Sequence, residues 1–262
     1  MIEAIEAKVV LDSISDAGAR ITTLQLVYPR FIHSEFLTHR VFSRNSSSSR
    51  AIPIQKMIEQ VRNNPAYPVE WGMNQPGMQA GAEVEERDRA VLSWRMGALE
   101  AANRAEIMMK LGLHKQIVNR VLEPYQWIHT IVTATEWANF FALRDHPDAQ
   151  PEIAALARSM RTAMQLSKPV ERTEHLPYIT EGEYTLPLVS QCLASAARCA
   201  RVSYLNHDGS TPNLQRDLEL AVKLNTAGHM SPFEHQARAL AGTYLSSNNF
   251  RGWQQHREWV GQ

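Results

Sequence analysis

HRVFSRNSSSSRAIP, residues 39–53, is the stretch from which the organisation of this sequence can be worked out. It places four consecutive serines between two arginines, Arg44 and Arg50, and then meets Pro53 and an apolar-periodic segment. Serine hydroxyls, backbone N–H groups and the dipole of a helix beginning near Pro53 together favour an anion. Arg50 adds a bidentate phosphate donor that a lysine would not supply. The stretch therefore predicts an anion-binding loop, while composition alone equally allows a solvated basic loop with a serine N-cap.

The bulk composition is that of an ordinary globular protein. The chain has 262 residues, of which 44% are hydrophobic and 21% are charged, enough for one large domain or two small ones. Its 27 basic residues equal its 27 acidic residues, so the formal net charge is zero. This balance argues against a protein that binds nucleic acid or membranes through bulk charge.

The cysteines and the apolar runs bear on the compartment. Cys192 and Cys199 lie in one predicted helix, about two turns apart, without disulfide or metal-ligand spacing. We interpret them as buried apolar residues in a reducing compartment. The first residues lack the features of a signal peptide, and no apolar run approaches the ~20 residues of a membrane span. We expect a cytoplasmic protein, in the host cytoplasm if it is phage-encoded, without a metal site.

Hydrophobic periodicity and turn residues predict a helix-rich α+β fold. Strands are predicted at residues 5–12 and 21–28, and the Gly- and Pro-rich residues 66–82 are predicted as a loop. The C-terminal segment from residue 239 predicts a strand, a turn and a short helix. Helices are predicted over residues 31–40, 83–111, 114–122, 151–166 and 187–205, and a further helix is predicted to end near Arg144. Two more helices are predicted from their end signals, one from Pro53 at N1 to Pro65 and one from Thr211 as N-cap and Pro212 at N1 to Gly228.

Four residues outside the opening stretch have side chains suited to chemistry: Arg120, Asn139, Arg144 and His229. Taken singly, each also has an ordinary explanation as a surface or helix-capping residue. His229, Glu234 and His235 do not form an HExxH pattern, and the sequence contains no Walker loop, GxGxxG or GxSxG motif. Zinc-protease, P-loop, classical dinucleotide and serine-hydrolase chemistry are therefore not predicted.

Taken together, these segments resemble the flavin-dependent thymidylate synthases, whose signature is approximately RHRxxSxNxxSxR. Thr38 stands where that signature has its first arginine, and Glu35 stands where the family usually has glutamine. The matching residues of the signature are His39, Arg40, Ser43, Asn45, Ser48 and Arg50. Four further matches are Arg120 with Pro124, the segment containing Asn139, Leu143, Arg144, Ala149, Gln150, Glu152 and Ile153, the segment Ala200–Ser203, and the segment Gly228–His235.

The resemblance implies a role for each matching position. The dUMP-binding residues would be Glu35, Ser46, Ser47, Ser48, Arg50, Arg120 and Arg144. Those beside FAD would be His39, Arg40, Asn139 and Ser231, with His229 in the flavin and folate region. The catalytic residues would be Arg144, Ser48, His229 and Glu35. Among these, Arg144 would hold the uracil ring and stabilise the negative charge that develops on it.

The order of the segments departs from the family. The segments Ala200–Ser203 and Gly228–His235 normally precede the RHR motif, whereas here they follow it. We interpret residues 1–262 as one catalytic domain of circularly permuted order, with an N-terminal motif half at 1–166, a linker at 167–186 and a C-terminal half at 187–262. The resemblance also implies a homotetramer, a small antiparallel sheet and no nucleic-acid or membrane partner.

The implied reaction is a one-carbon transfer from methylenetetrahydrofolate to C5 of dUMP. We expect dTMP as the product, with NADPH as reductant. The alternative is a phage-like enzyme in which water quenches the methylene intermediate and gives 5-hydroxymethyl-dUMP, with Glu35 steering that water. A non-catalytic nucleotide- or RNA-binding module is a third, less favoured interpretation, because the matches are scattered and the net charge is zero.

Overall fold

The computed structural model describes residues 4–202, 205–206 and 209–260, and Ser203 of the Ala200–Ser203 match lies outside this part. Its centre is a five-stranded sheet in the order β3-β4-β2-β1-β5. The strands are β1 (Glu6–Ile14), β2 (Arg20–Pro29), β3 (Ser43–Ser46), β4 (Trp127–Ala134) and β5 (Val170–Glu171). Neighbours are antiparallel except β5, which runs parallel to β1. The α+β fold predicted from the sequence is confirmed.

The helices agree with most of the predicted spans. They are α1 (His33–Phe36), α2 (Ile54–Asn63), α3 (Arg87–Lys110), α4 (Lys115–Val118), α5 (Ala138–Arg144), α6 (Pro151–Leu166), α7 (Leu188–Ala200) and α8 (Leu214–Thr226). A 3-10 helix at Asn119–Tyr125 continues α4. Residues 66–82 contain no helix, as predicted.

Several predicted helix ends are wrong. The helix predicted over residues 31–40 ends at Phe36, and the one predicted over 83–111 begins at Arg87. Pro53 is the N-cap of α2 rather than its first residue. Helix α7 ends at Ala200 rather than at residue 205. Helix α8 is capped by Asn213, whose side chain accepts a hydrogen bond from the backbone N–H of Arg216 (3.3 Å), so Thr211 and Pro212 precede the helix. An asparagine N-cap competes well with threonine, and the sequence pattern did not separate the two.

The main core lies between one face of the sheet and α6. Leu24, Leu26 and Tyr28 of β2 are fully buried there, against Ile153 and Leu156 of α6. A second apolar cluster joins α2, α3 and the 3-10 helix at Asn119–Tyr125. Strand β3 pairs with β4 at the edge of the central sheet, and Phe42 just before it belongs to the main core.

The C-terminal third packs beside β3. It forms a small sheet of β6 (Glu174–His175), β7 (Ala237–Ala239) and β10 (Trp253–Gln255), and a hairpin of β8 (Ser246–Ser247) and β9 (Phe250–Arg251). The segment that the sequence predicts as a linker, 167–186, therefore contributes strands to both sheets. Gly252 has φ +70°, and a Cβ at this position would lie 2.2 Å from that of Ala19, so glycine is required where the last segment meets the β1–β2 turn.

The predicted burial of the two cysteines is confirmed in the structure. Cys192 and Cys199 are buried and free, and burial raises the pKa of the Cys192 thiol to about 12. Within the described part of the chain, no helix is long and apolar enough to cross a membrane.

Candidate functional site

Four predicted site or signature positions meet around the guanidinium of Arg144, the last residue of α5. Its Nη1 pairs with the carboxylate of Glu35 in α1, and its Nε donates to Nε2 of His39 (2.9 Å). Its Nη2 makes only a long contact of 3.4 Å with the Thr38 hydroxyl. Glu35, Thr38, His39 and Arg144 are called the arginine cluster below. Their proximity brings together residues about 105 positions apart in the sequence.

His39 is held as a neutral hydrogen-bond acceptor within this cluster. Its side chain is buried against the rings of Phe42 and Phe140, at centroid distances of 5.9 and 4.8 Å. Burial, followed by the charges of Arg144 and Arg44, lowers the pKa of His39 to about 4. Because Nε2 accepts from Arg144, the proton of the neutral ring belongs on Nδ1.

Arg44 fixes the backbone that carries the cluster, and the sequence interpretation gave it no role. Its Nη1 donates to the carbonyl oxygens of His39 (2.9 Å) and Phe42 (3.0 Å), and its Nη2 donates to that of Leu37 (3.0 Å). A guanidinium is the side chain with enough fixed donors to hold three carbonyls of one loop. The position falls on a variable site of the signature, so the motif gave no signal for it.

The second part of the site is the serine loop, defined as Ser46–Arg50. Ser47 fixes it to β4, since its N–H donates to the His129 carbonyl (2.8 Å) and its hydroxyl accepts from the His129 N–H (3.2 Å). The Ser46 hydroxyl lies 2.9 Å from that of Thr130. Ser48 accepts from the N–H of Arg50 (3.3 Å), and the Arg50 side chain is exposed. Ser49 is buried within the loop.

Arg120 lies on the segment that packs against the serine loop. Its Nη1 donates to Oε1 of Glu123 (3.1 Å), which also binds Arg30, and the arginine remains mostly exposed. The preceding residue, Asn119, is fully buried and donates from Nδ2 to the carbonyl oxygens of Ser49 (2.6 Å) and Ile52 (3.3 Å). The structure thus joins the Arg120 segment to the serine loop.

The two C-terminal predicted residues occupy different environments. Ser231 donates from its hydroxyl to Oδ1 of Asn45 (3.0 Å), and Asn45 in turn donates to the Cys199 carbonyl (3.0 Å). His229 is exposed, and its N–H caps α8 by donating to the Leu224 carbonyl (2.9 Å). Gly228 before it has φ +72°, as its predicted position at the helix end requires.

One cavity lies beside chain segments that carry residues of both parts of the site. It has a volume of about 280 Å³ and is lined by Leu37, Arg40, Phe42, Arg44, Asn45, Ser46, Glu234 and Asn249. Arg40 is exposed at its edge. Asn139, the remaining predicted residue, is exposed on α5. The lining thus draws on both the segment that carries His39 and the start of the serine loop.

A larger cavity lies elsewhere and has the wrong charge for a nucleotide. Its volume is about 500 Å³, and it is lined by Phe31, Trp94 and three carboxylates, Glu70, Asp148 and Glu152, without a lysine or arginine among its described lining residues. Such a lining repels phosphate. Among the residues described, no group of three or more His, Cys, Asp or Glu side chains is placed to hold a metal ion.

Residues 20–170 match the family model for thymidylate synthase complementing protein. Because the match spans more than half of the chain, this protein belongs to that family, and the resemblance found in the sequence is confirmed. Residues 171–262, including the C-terminal sheet, lie outside the matched range.

Two crystal structures of the UMP/dUMP methylase PolB from Streptomyces cacaoi share the fold. The structure bound with 5-Br dUMP superimposes with a TM-score of 0.52 at 18% identity, covering 62% of this chain and 90% of PolB. The structure bound with 5-Br UMP gives a TM-score of 0.51 at 20% identity, covering 63% and 92%. A search of curated protein sequences found no match. The roles of individual residues in this chain stay predictions.

Proposed function

We propose that this protein transfers a one-carbon unit from methylenetetrahydrofolate to C5 of dUMP, with dTMP as product. The observation that carries the proposal is the arginine cluster beside the cavity lined in part by Ser46 of the serine loop, within a chain of this family. The UMP/dUMP methylase PolB, which shares the fold, acts on the same kind of nucleotide.

The phosphate of dUMP would bind at the serine loop. Arg50 and Arg120 present exposed guanidinium groups, which suit bidentate binding of phosphate. Ser48 would add a hydroxyl, and Ser46 and Ser47 hold the loop on β4. Because water solvates these exposed charges before phosphate binds, they carry little desolvation penalty in the free protein.

The uracil ring would bind at Arg144. Two of its donor directions are occupied by Glu35 and His39, whereas Nη2 has only the 3.4 Å contact with Thr38. This Nη2 is therefore the donor we assign to a uracil carbonyl oxygen. The same N–H would stabilise the negative charge on the ring that makes C5 nucleophilic toward the one-carbon donor. Glu35 and His39 would keep the guanidinium in position during that step.

The donor set around Arg40 fits an anionic dinucleotide such as FAD. Arg40 is an exposed cation at the edge of the cavity that Ser46 also lines, and Asn139 is an exposed amide on α5. We assign these two residues to direct contacts with FAD. His39 and Ser231 would line the site without bonding to FAD, because their polar atoms already form hydrogen bonds within the chain. When bound, FAD supplies the reducing equivalents that NADPH restores if dTMP is the product. His229, exposed at the end of α8, is assigned to the same flavin and folate region.

5-Hydroxymethyl-dUMP is the second candidate product. It is favoured by Glu35, a partly exposed carboxylate next to Arg144, which is able to orient a water molecule. A non-catalytic RNA-binding module is the weakest candidate, because 27 basic residues are balanced by 27 acidic ones.

We also propose a homotetramer of permuted chains. Four large apolar side chains on α3 are exposed in the single chain, namely Leu92, Met96, Ile107 and Leu111 of the helix and its C-cap, and they would be covered by a second copy. The contacts of Ser231 and Gln255 with Asn45 and Ser43 support one domain in which the C-terminal half completes the motif half. Light scattering coupled to size-exclusion chromatography checks the assembly.

The function is tested by mass spectrometry of the nucleotide after incubation with dUMP, methylenetetrahydrofolate, FAD and NADPH. Gain of a methyl group supports thymidylate synthesis. Gain of a hydroxymethyl group without net consumption of NADPH supports the second candidate. Recovery of unchanged dUMP from protein that binds no FAD would refute the enzyme assignment.

A further inference from the structure

We propose that Asn119 is a positioning residue that holds the serine loop in the conformation in which Arg50 and Arg120 bind phosphate together. The inference rests on the proposed binding of dUMP, and it concerns a residue that no motif of the sequence singles out. Asn119 would not touch the nucleotide. It would act by joining two chain segments about 70 residues apart.

The first support is the way the Asn119 amide is used. Its Nδ2 donates two hydrogen bonds to backbone carbonyls on either side of Arg50, at Ser49 (2.6 Å) and at Ile52 (3.3 Å). A side chain that holds the backbone before and after a residue restricts where that residue points. Arg50 itself is exposed, so this backbone restraint is what directs it.

The second support is the rigidity of the Asn119 side. The side chain is fully buried, and the Asn119 carbonyl accepts a hydrogen bond from Nε2 of Gln126 (3.1 Å). The residue opens the 3-10 helix that carries Arg120. Movement of that helix is thereby coupled to movement of the serine loop, and the two arginines keep a fixed relation.

The restraint on the serine loop complements that of Ser47. Ser47 fixes the start of the loop to β4 through its N–H and its hydroxyl, whereas Asn119 fixes the end. Between them lie Ser48 and Arg50, whose hydroxyl and guanidinium are the groups proposed to bind phosphate. Loss of the Asn119 contacts would weaken the anchor at the end of the loop, where Nζ of Lys115 also donates to the Ala51 carbonyl (3.2 Å). Ordering the loop would then reduce the affinity for phosphate.

The test compares dUMP with deoxyuridine, which lacks the phosphate. Asn119→Ala is expected to weaken dUMP binding roughly tenfold, the scale expected from losing buried hydrogen bonds that order a loop, and to leave deoxyuridine binding unchanged. Because Asn119 acts through Arg50, the double variant with Arg50→Ala should bind dUMP little worse than Arg50→Ala alone. Amide hydrogen exchange of residues 46–52 should rise in Asn119→Ala without any ligand.

Gln191→Ala is the matched control. Gln191 is also a buried amide that donates to two carbonyls of a neighbouring segment, those of Leu186 (2.8 Å) and Tyr184 (3.2 Å). Its loss should leave the affinity ratio of dUMP to deoxyuridine unchanged and should act additively with Arg50→Ala. If Asn119→Ala does not fold, Asn119→Ser, which keeps one O–H donor, carries the same comparison with a smaller expected loss.

The outcomes separate this inference from the proposed function. If the wild-type protein binds dUMP no better than deoxyuridine, the serine loop is not a phosphate site and the proposed function loses its support there. If wild-type binding depends on phosphate and on Arg50, but both Asn119 variants keep the wild-type affinity ratio, then the positioning role is wrong. Equal losses for dUMP and deoxyuridine would also overturn it, since they would indicate general unfolding.

Discussion

The arginine cluster and the serine loop each contain an arginine proposed to bind dUMP, but the two arginines are held in different ways. In the arginine cluster, Arg144 is half-buried and its charge is already paired with Glu35 and bonded to His39. In the serine loop, Arg50 is exposed and held only through the backbone around it. A paired, buried guanidinium is held in place, but some of its N–H donors are bonded within the protein. An exposed guanidinium keeps its N–H donors available to a ligand, and its orientation depends on the conformation of the loop. Substitutions should therefore affect stability and activity together in the cluster, and affinity alone in the loop.

The largest expected effect is that of Arg144→Ala. Removing the guanidinium deletes the proposed charge-stabilising donor, so kcat should fall by about 100-fold or more. The free energy of unfolding should fall as well, because Glu35 and His39 lose their shared partner. Product formation and thermal unfolding measure the two effects, with exposed Arg158→Ala on α6 as control. Full activity in Arg144→Ala would remove the arginine cluster from the mechanism.

The next effect is the response of the cluster to acid. The pKa of His39 is lowered to about 4 in the folded protein, from an ordinary value near 6.5, so the unfolded state binds the proton more readily. Stability is therefore fully present above about pH 6.5 and decreases as the pH falls toward 4. One histidine with this shift contributes up to about 3 kcal/mol to the decrease.

Urea unfolding between pH 4 and 7 checks this linkage. His33, His175, His235 and His256 also have lowered pKa values, so the wild-type protein should lose stability steeply across this range. The variant His39→Gln should show a shallower slope than the wild type. The same slope in both proteins would show that His39 titrates normally.

A smaller effect is expected in the serine loop from Arg50→Ala. Loss of a charge-assisted phosphate donor should weaken dUMP binding by about 1–3 kcal/mol. Thermal stability should not change, because the side chain is exposed. Calorimetric titration with dUMP measures the affinity, and Lys56→Ala on the exposed face of α2 tests for a nonspecific effect of charge. An unchanged affinity would leave the loop without its proposed role.

The smallest expected effect is that of Ser48→Ala. A neutral hydroxyl donor contributes about 0.5–1.5 kcal/mol to binding, and the hydroxyl of Ser48 also accepts from the N–H of Arg50. The affinity for dUMP should fall less than in Arg50→Ala. A greater loss in Ser48→Ala than in Arg50→Ala would reverse the assignment and make the loop conformation, rather than the cation, the main determinant.

Local sequence was enough to predict the elements whose signals are local. Helix α6 spans the predicted residues 151–166, because Pro151 opens it and its apolar residues repeat with helical period. Strand β2 was predicted from the alternation of β-branched residues. Strand β4 was not predicted, because it is buried on both faces along most of its length and its sequence has no regular alternation of apolar and polar residues.

The site was predictable as a set of residues but not as a set of contacts. The motif positions that carry Arg144, His39 and Arg50 follow from the family resemblance. The pairing of Arg144 with Glu35 joins residues 109 positions apart, and no pattern in the sequence encodes it. The roles of Arg44 and Asn119 were not predicted for the same reason. Both side chains bond to backbone carbonyls, and because every residue has a carbonyl, no sequence pattern marks the partner.

The position of β3 at the edge of the central sheet also affects how the chain folds. Its Ser43 hydroxyl accepts a hydrogen bond from Gln255, 212 residues later (2.9 Å), and Asn45 bonds to Ser231 and Cys199. During synthesis the motif strand is therefore complete long before the segments that cover its open edge emerge. An uncovered edge can pair with another chain, and contacts so distant in sequence form slowly. The nascent chain must accordingly keep this strand unprotected until the segments that contain Ser231 and Gln255 have been added.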